Sequence, residues 1–167
     1  MKNPSFYWKG QPSQILNFFP FLITFITITL IIYFAPDIYF YMPSEIALYF
    51  SWRNITILCG VICLYPISKY LSLKCLQYTI SADKIYVKSG VLSSEIESIE
   101  IYRVKDQSVI KPFYLRIFGL GNLILITSDP TAPTVNFIAI PNVEKLLEDV
   151  RKYTNEARKL HGVREFD

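Results

Sequence analysis

The stretch Phe21-Leu-Ile-Thr-Phe-Ile-Thr-Ile-Thr-Leu-Ile-Ile-Tyr-Phe-Ala35 decides the first half of the fold. It lies in a longer segment, Gly10 to Pro36, that contains no charged residue. A helix needs about 20 apolar residues to cross a bilayer, and in lipid the backbone must satisfy its own hydrogen bonds. The sequence therefore predicts a transmembrane helix over about residues 15–35. The apolar run is too long for a signal peptide and lacks a small-x-small cleavage site, so we expect an uncleaved anchor.

A second uncharged stretch runs from Asn54 to Ser68, and a helix over about residues 46–68 would span the membrane. Arg53 lies inside this span, which leaves two interpretations open. Its guanidinium can snorkel from the helix end to the headgroups. Alternatively it makes an intramembrane contact with a site or another subunit.

The distribution of charge around the two predicted helices indicates their orientation. Lysines flank the pair and acids lie between the helices: Lys2, Lys9, Lys69 and Lys74 against Asp37 and Glu45. By the positive-inside rule both termini are cytoplasmic, with a short outer loop around Pro36 to Pro43. Aromatic residues such as Tyr7 and Trp8 are expected at headgroup depth, where aromatic belts lie.

Composition supports a membrane anchor joined to a separate domain. The chain is 51% hydrophobic and only 19% charged, whereas soluble domains carry about 25% charged residues. We expect an anchor over residues 1–72 and a cytoplasmic domain over residues 73–167. The net charge of +3 is too small to favour a nucleic-acid binder. The cysteines, Cys59, Cys63 and Cys75, are expected to pack as small apolar residues without a redox or metal role.

The pattern after Lys69 changes to the alternation that is typical of β-strands. The predicted strands are Leu76 to Ile80, Ile85 to Val87, Val91 to Ile101, Val104 to Val109, Leu123 to Thr127 and Val135 to Ile140. Six or seven short strands at this spacing predict an antiparallel sandwich or barrel.

The end of the chain has helical periodicity instead. Asn142 is a candidate N-cap, and the apolar positions that follow are Val143, Leu146, Leu147, Val150, Ala157 and Leu160. We expect Leu146, Leu147 and Val150 to cap an open end of the barrel. The predicted fold is a two-helix transmembrane hairpin followed by an all-β barrel or sandwich of the pleckstrin-homology (PH) type, closed by one C-terminal α-helix.

Several segments make the chain similar to a known family. They are Tyr78 to Leu92, Glu100 to Asp106, Leu115 to Ser128 and Ile140 to Val143, together with Trp8 and Pro12-Ser13 ahead of the helical hairpin. In these segments the chain resembles bacterial PH-like domain membrane proteins of the YdbS/YdbT type. The resemblance implies a PH-like fold at a bacterial inner membrane. It implies little about the task, because the family is functionally heterogeneous.

The sequence contains no recognisable catalytic constellation. His161 is the only histidine, and no nucleophile and base pair can be built without it. Gly119-Leu-Gly121 is a lone G-x-G and predicts a bend between strands rather than a phosphate loop. Gly90 is expected in a turn. We therefore expect no enzyme activity, no cofactor and no metal.

Arg103, Lys105, Lys111 and Arg116 form a loose basic set. One interpretation is a surface that binds a partner or a lipid headgroup. The other is ordinary surface charge.

The expected function is a membrane-anchored scaffold or regulatory subunit at the cytoplasmic face of a bacterial inner membrane. Its partners would be the lipids around the hairpin and either a second copy or another membrane protein, with no nucleic acid. One alternative is a small subunit of a membrane transport, secretion or defence assembly, in which Arg53 would matter. A second alternative is a module that senses anionic lipid.

Overall fold

The computed structural model of the chain describes residues 6–41, 43 and 52–161. The chain forms two compact units. Residues 14–71 make a helical unit, whereas the residues up to Ser13 and those from Ser72 onward make a second unit, the sheet unit.

The helical unit contains two long α-helices. A 3-10 turn, Gln14–Asn17, leads into α1, Phe18–Tyr41, and α2 is Trp52–Cys75. Both are long and apolar enough to cross a membrane. At a rise of about 1.5 Å per residue, each helix is about 36 Å long, which exceeds the hydrocarbon core of about 30 Å.

Threonine hydroxyls within α1 bond to the helix itself. Thr27 Oγ1 donates to the carbonyl of Ile23 and Thr29 Oγ1 to that of Phe25, each at 2.8 Å. These bonds satisfy hydroxyls that would otherwise be costly in an apolar environment. The β-branched, threonine-rich sequence is therefore compatible with an apolar surrounding.

The helices extend beyond the predicted ends. Pro36 lies inside α1, which continues to Tyr41, so the predicted outer loop is wrong over residues 36–41. An apolar helix tolerates the single hydrogen bond that a proline removes. The second helix ends at Cys75 rather than near residue 68, and its predicted start at residue 46 lies outside the described residues.

Within its described residues, 6–13 and 72–161, the sheet unit has seven strands in two antiparallel sheets. They are β1 Phe6–Gly10, β2 Gln77–Ser81, β3 Lys84–Ser89, β4 Glu95–Glu100, β5 Val104–Ile110, β6 Leu120–Thr127 and β7 Thr134–Pro141. Sheet A has the order β1-β2-β3-β4, and sheet B the order β5-β6-β7. Two helices complete the unit: the short α3, Phe113–Ile117, and the C-terminal α4, Val143–His161.

The first strand lies before the two long apolar helices and was not predicted from the sequence. β1 pairs with β2, and Trp8 packs against Phe137 with ring centroids 6.1 Å apart. Tyr7 stacks on Tyr153 of α4 at 4.2 Å, and the Ser13 N–H donates to the Ala139 carbonyl at 3.1 Å. The segment up to Ser13 therefore belongs to the sheet unit and not to an anchor over residues 1–72. The headgroup position of Tyr7 and Trp8 stays a prediction, and both side chains also make contacts within the sheet unit.

The pairing of β1 with β2 constrains the topology. The connection between these neighbouring strands contains both α1 and α2. Paired strands cannot be separated by a bilayer, so residues 6–10 and 77–81 lie on one side of any membrane that the chain crosses. Two spanning helices meet this requirement, because the number of crossings between the strands must be even.

One hydrophobic core joins the two sheets and α4. Its largest fully buried side chains include Tyr78, Phe137, Ile80, Ile85, Ile99, Ile101, Leu115, Leu123, Leu125 and Ile140. From α4, Leu146 and Val150 are buried as predicted. Leu147 is only partly buried, and Leu160 is exposed, so neither contributes fully to the predicted apolar face.

The sheet unit has two ends with different connections. At one end, called the helix-linked end, the chain passes from β1 into the helical unit through Gly10 to Ser13 and returns to β2 through Ser72 to Leu76. The loop Gly90–Ser94 and the segment Ile110–Gly119 lie at the same end. At the far end lie Ala82–Asp83, Ile101–Arg103 and Ser128–Pro133. Residues 91–94, predicted as strand, form the turn between β3 and β4.

Candidate functional site

A groove of about 390 Å³ runs between β5 and the second half of α4. Its lining residues are Val104, Lys105, Asp106, Gln107, Leu147, Arg151, Thr154, Asn155 and Arg158. β5 lies at the edge of sheet B and pairs only with β6 among the described strands. The groove therefore combines an open strand edge with a helix face.

A β-bulge shapes the strand side of the groove. Val104 pairs with Thr127 and Asp106 with Ile126, so Lys105 is the extra residue. Bulges redirect a side chain and interrupt pairing at sheet edges. This bulge accounts for the position of the Lys105 side chain in the groove lining.

Side-chain hydrogen bonds hold α4 beside β5. Arg158 Nη2 donates to the Val104 carbonyl at 2.7 Å. Gln107 Nε2 donates to Thr154 Oγ1 at 3.4 Å, a long bond with a buried threonine. A charged donor to a backbone carbonyl makes a comparatively strong hydrogen bond. These two bonds fix α4 beside β5 and so hold the two walls of the groove together.

The groove is electropositive. Lys105, Arg151 and Arg158 line it, opposed by the single carboxylate of Asp106. Within the described part of the chain, neither Lys105 nor Arg151 has an ion-pair partner. An acidic ligand would be attracted to these two side chains.

The polar groups of the strand edge are only partly satisfied. The Gln107 N–H donates to Asp106 Oδ1 at 2.7 Å, which covers one edge donor. Gln107 Oε1 is buried and, among the described residues, has no hydrogen-bond partner. A buried acceptor without a partner costs about 1–3 kcal/mol.

The predicted basic set does not form one surface. Only Lys105 lies in the groove. Arg103 lies at the far end, where its Nε contacts Glu100 at 2.6 Å and its Nη1 lies 3.6 Å from Asp129. A hydrogen bond from Tyr102, and then the one from Arg103, holds the pKa of Glu100 below its usual range. Arg103 is therefore a structural ion-pair partner.

The other two members of the set lie at the helix-linked end. Lys111 Nζ contacts Glu144 Oε1 at 2.6 Å, and Arg116 is exposed on α3. From Arg103 to Lys111 the strand extends about 25 Å, at about 3.3 Å per residue. The groove cations Arg151 and Arg158 were missed because helix periodicity marks them as surface charge. Only the position of β5 shows that they share a site with Lys105.

The predicted structural glycines have different roles. Gly90 and Gly119 have positive φ angles of 103° and 67°, which glycine adopts without strain. Gly121 instead allows a close approach, because a Cβ atom there would lie 2.6 Å from Val143 Cγ1. Asn142 occupies the predicted start of α4, where its carbonyl accepts the Leu146 N–H at 3.2 Å. Its φ of 49° differs from the extended backbone usual at an N-cap, and asparagine tolerates this region well.

The remaining predicted positions lie outside the groove. Arg53 is exposed in the first turn of α2, and its intramembrane contact stays a prediction. The three cysteines are free. In the described ranges, no group of three or more His, Cys, Asp and Glu side chains could hold a metal ion. The side chain of His161 lies outside the described part of the structure.

Comparison with known proteins adds one finding. A family model described as "Bacterial PH domain" matches residues 18–154, which include both apolar helices and six of the seven strands. No curated protein and no solved structure matches the chain significantly.

Proposed function

Because the chain belongs to the bacterial PH domain family, we propose that it is a non-enzymatic, membrane-anchored scaffold or regulatory subunit. In this proposal α1 and α2 span a bacterial inner membrane, and the sheet unit lies on the cytoplasmic face. The YdbS/YdbT type is the proposed branch of the family, on the strength of the sequence segments described above.

The anchoring part of the proposal is supported by length, composition and pairing. Two helices are long and apolar enough to span, and the β1 and β2 pair requires an even number of crossings. The lysines around the helices favour the cytoplasmic side for both termini.

The groove supports the scaffold part of the proposal. We propose that an extended, acidic segment of a partner protein adds to the edge of β5. Strand addition supplies main-chain hydrogen bonds, and the unpaired Lys105 and Arg151 supply attraction to acidic side chains. The single observation that carries this function is the edge strand lined by two cations that have no ion-pair partner among the described residues.

Anchoring makes weak binding in the groove sufficient. Exposed ion pairs contribute about 0–1 kcal/mol each, which is too little for tight binding in solution. Confinement of both partners to one membrane raises their effective concentration without new contacts. The scaffold is therefore expected to act on other membrane-bound proteins or on a second copy.

The test is site-specific photo-crosslinking of the full chain in native membranes. A photoreactive amino acid replaces Asn155, which lines the groove, or Lys152, which is exposed on the same helix outside it. We expect a protein adduct from position 155 that is absent from position 152. Mass spectrometry should locate the crosslink in a segment rich in Asp and Glu.

Charge reversal provides the matched control. Lys105→Glu with Arg151→Glu should abolish the adduct, whereas Lys145→Glu with Lys152→Glu, which makes the same charge change outside the groove, should leave it. An adduct that survives the first pair would contradict the electrostatic argument. An adduct with lipid alone would replace the scaffold by an anionic-lipid sensor.

A further inference from the structure

We propose that the helix-linked end of the sheet unit is a membrane-contact surface. Its two exposed loops insert apolar side chains into the interface of the bilayer that anchors the chain. This inference rests on the membrane anchor of the proposed function and goes beyond that function, because it concerns a different surface from the groove and a lipid rather than a protein partner.

Strand registers within the sheet unit place both loops at this end. Gly10 pairs with Tyr78 and Gln77 with Lys88, so the loop after β3 lies beside the points where the chain leaves and returns. In sheet B, Ile110 pairs with Asn122 and Leu120 with Pro141. The Ser13 N–H bond to Ala139 joins that end of sheet B to the departing chain.

The exposed apolar side chains of the sheet unit concentrate at this end. Leu92, in the turn between β3 and β4, has a relative exposure of 103%. In the connection between β5 and β6, which contains α3, the relative exposure is 73% for Phe113 and 64% for Ile117. Val91, Ile110, Tyr114 and Phe118 are also exposed. Ile96, Ile126, Leu160 and Tyr7 are exposed elsewhere on the unit, but this end carries the larger share. Exposed large apolar side chains gathered at one end favour an interaction surface.

The helix α3 presents its apolar side chains in a fixed orientation. Leu115 is fully buried and attaches α3 to the core. Phe113 and Ile117 are four residues apart and therefore neighbour each other on the opposite side of the helix. Because the buried Leu115 fixes the orientation of α3, Phe113 and Ile117 stay exposed.

Cations lie near both apolar segments. Lys88 and Arg116 are exposed at this end, and the exposed acids Glu95 and Glu97 follow the first loop. Apolar and aromatic side chains with flanking cations are typical of segments that lie at a bilayer interface. Each cation near an anionic leaflet adds electrostatic attraction.

Connectivity favours the bilayer over a second copy as the occupant. α2 ends at Cys75 and β2 begins at Gln77. Successive Cα atoms are about 3.8 Å apart, so at most about 8 Å of chain joins the apolar helix to this end of the sheet unit. Lipid is thus present at high local concentration wherever the helices span.

The test uses the full chain, one copy per lipid nanodisc that contains anionic lipid. Cys59, Cys63 and Cys75 are replaced by alanine, and a single cysteine is placed at Leu92, Phe113 or Thr131. All three positions are exposed, and Thr131 lies at the far end, about 25 Å away along the strands. Each cysteine carries a polarity-sensitive fluorophore, and brominated lipids serve as quenchers.

We expect blue-shifted emission and lipid quenching for the labels at positions 92 and 113, and neither for position 131. Labels at positions 92 and 113 that remain as hydrated as the one at position 131 would overturn the proposal. A blue shift without lipid quenching, or one seen only with two copies per disc, would also overturn it and indicate a protein contact. Quenching at only one position would reject the two-loop surface.

Discussion

The two ends of the sheet unit differ in how their loops are stabilised. At the far end the turns bond to one another: the Ile101 N–H donates to the Asp83 carbonyl and the Ser128 N–H to the Arg103 carbonyl, each at 2.9 Å. At the helix-linked end the loops contain Gly90 and Gly119 at positive φ and expose Leu92 and Phe113. The far end is completed by its own polar groups, whereas the other end exposes apolar groups that water solvates poorly.

This difference shows where a pair of long apolar helices is inserted in a β-sandwich. The connection between β1 and β2 leaves from the end that exposes apolar side chains, and the far end carries no connection to the described helices of the helical unit. The groove between β5 and α4 lies along the side of the unit, away from both ends. The proposed lipid surface and the proposed partner groove therefore use different parts of one domain.

The largest expected effect comes from removing β1. A fragment of residues 73–167 loses the β1 ladder, the Trp8 contact with Phe137 and the Tyr7 contact with Tyr153. Trp8 is partly buried against the core, so its loss costs up to about 3–5 kcal/mol, the range for a large buried aromatic side chain, out of the 5–15 kcal/mol of a typical domain. We expect this fragment to be unfolded by circular dichroism and thermal melting.

A matched chain tests whether β1 or the membrane helices supply the stability. A short Gly/Ser linker replaces residues 14–71 and joins Ser13 to Ser72, which lie at the same end. We expect this linked sheet unit to melt cooperatively. A stable, cooperative fragment of residues 73–167 would show that β1 is dispensable and that the sandwich is complete without it.

The second effect concerns α4, which begins near the helix-linked end and packs against the 3-10 turn of the far end. Val150 is fully buried in the core, so Val150→Asp places a charge there and should unfold the linked sheet unit. Leu147→Asp should be much milder, because Leu147 is partly buried beside the groove. Equal melting temperatures for the two variants would contradict this assignment of the core face.

The third effect compares two glycines at the helix-linked end. Gly121→Ala would bring a Cβ atom against the buried Val143, and overpacking of this kind costs about 1–3 kcal/mol. At Gly119 the Cβ meets no atom within 4 Å, so Gly119→Ala costs only the strain of its positive φ, about 1 kcal/mol. Thermal melts of the linked sheet unit should give this order. Relief of the Gly121→Ala defect by Val143→Ala would identify the clash as its cause.

The sequence predicted the parts of this fold that have a strong period. The long apolar runs identify both helices, and alternating or short apolar segments identify the six strands after Lys69, because side-chain burial follows the backbone repeat. β1 could not be predicted in this way. It has five residues, its partner strand lies after both helices, and Tyr7 and Trp8 fit an interfacial belt equally well. Local patterns carry no information about such long-range pairing.

The groove was predictable only in part, for the same reason. Lys105 was a candidate from the sequence, but Arg151 and Arg158 join it through the packing of α4 on β5. Arg103 was a candidate too, although its ion pairs with Glu100 and Asp129 occupy it at the far end. Charge is visible in a sequence, whereas its neutralisation depends on the tertiary structure.

The smallest expected effect is a pH dependence at the far end. The Tyr102 hydroxyl donates to Glu100 at 2.6 Å, and this bond is the largest cause that lowers the pKa of Glu100 from its ordinary value of 4.5. The Thr131 hydroxyl donates to Asp129 at 2.8 Å and likewise lowers the pKa of that carboxyl from 3.8. A carboxyl with a lowered pKa in the folded state stabilises the fold above its unfolded pKa, and the contribution is lost as the pH falls through the folded value.

Tyr102→Phe removes the donor and should bring the folded pKa of Glu100 closer to 4.5. The melting temperature of the linked sheet unit should then fall less steeply below about pH 4.5 than in the parent, with little change in this slope above it. Both carboxyls are only partly buried, and solvent screens them, so the change is small. Tyr86→Phe is the control, because within the described residues its hydroxyl donates to no carboxylate. The same flattening in Tyr86→Phe would show that the acid sensitivity arises elsewhere, and the far end would then owe its stability to the backbone bonds between its turns.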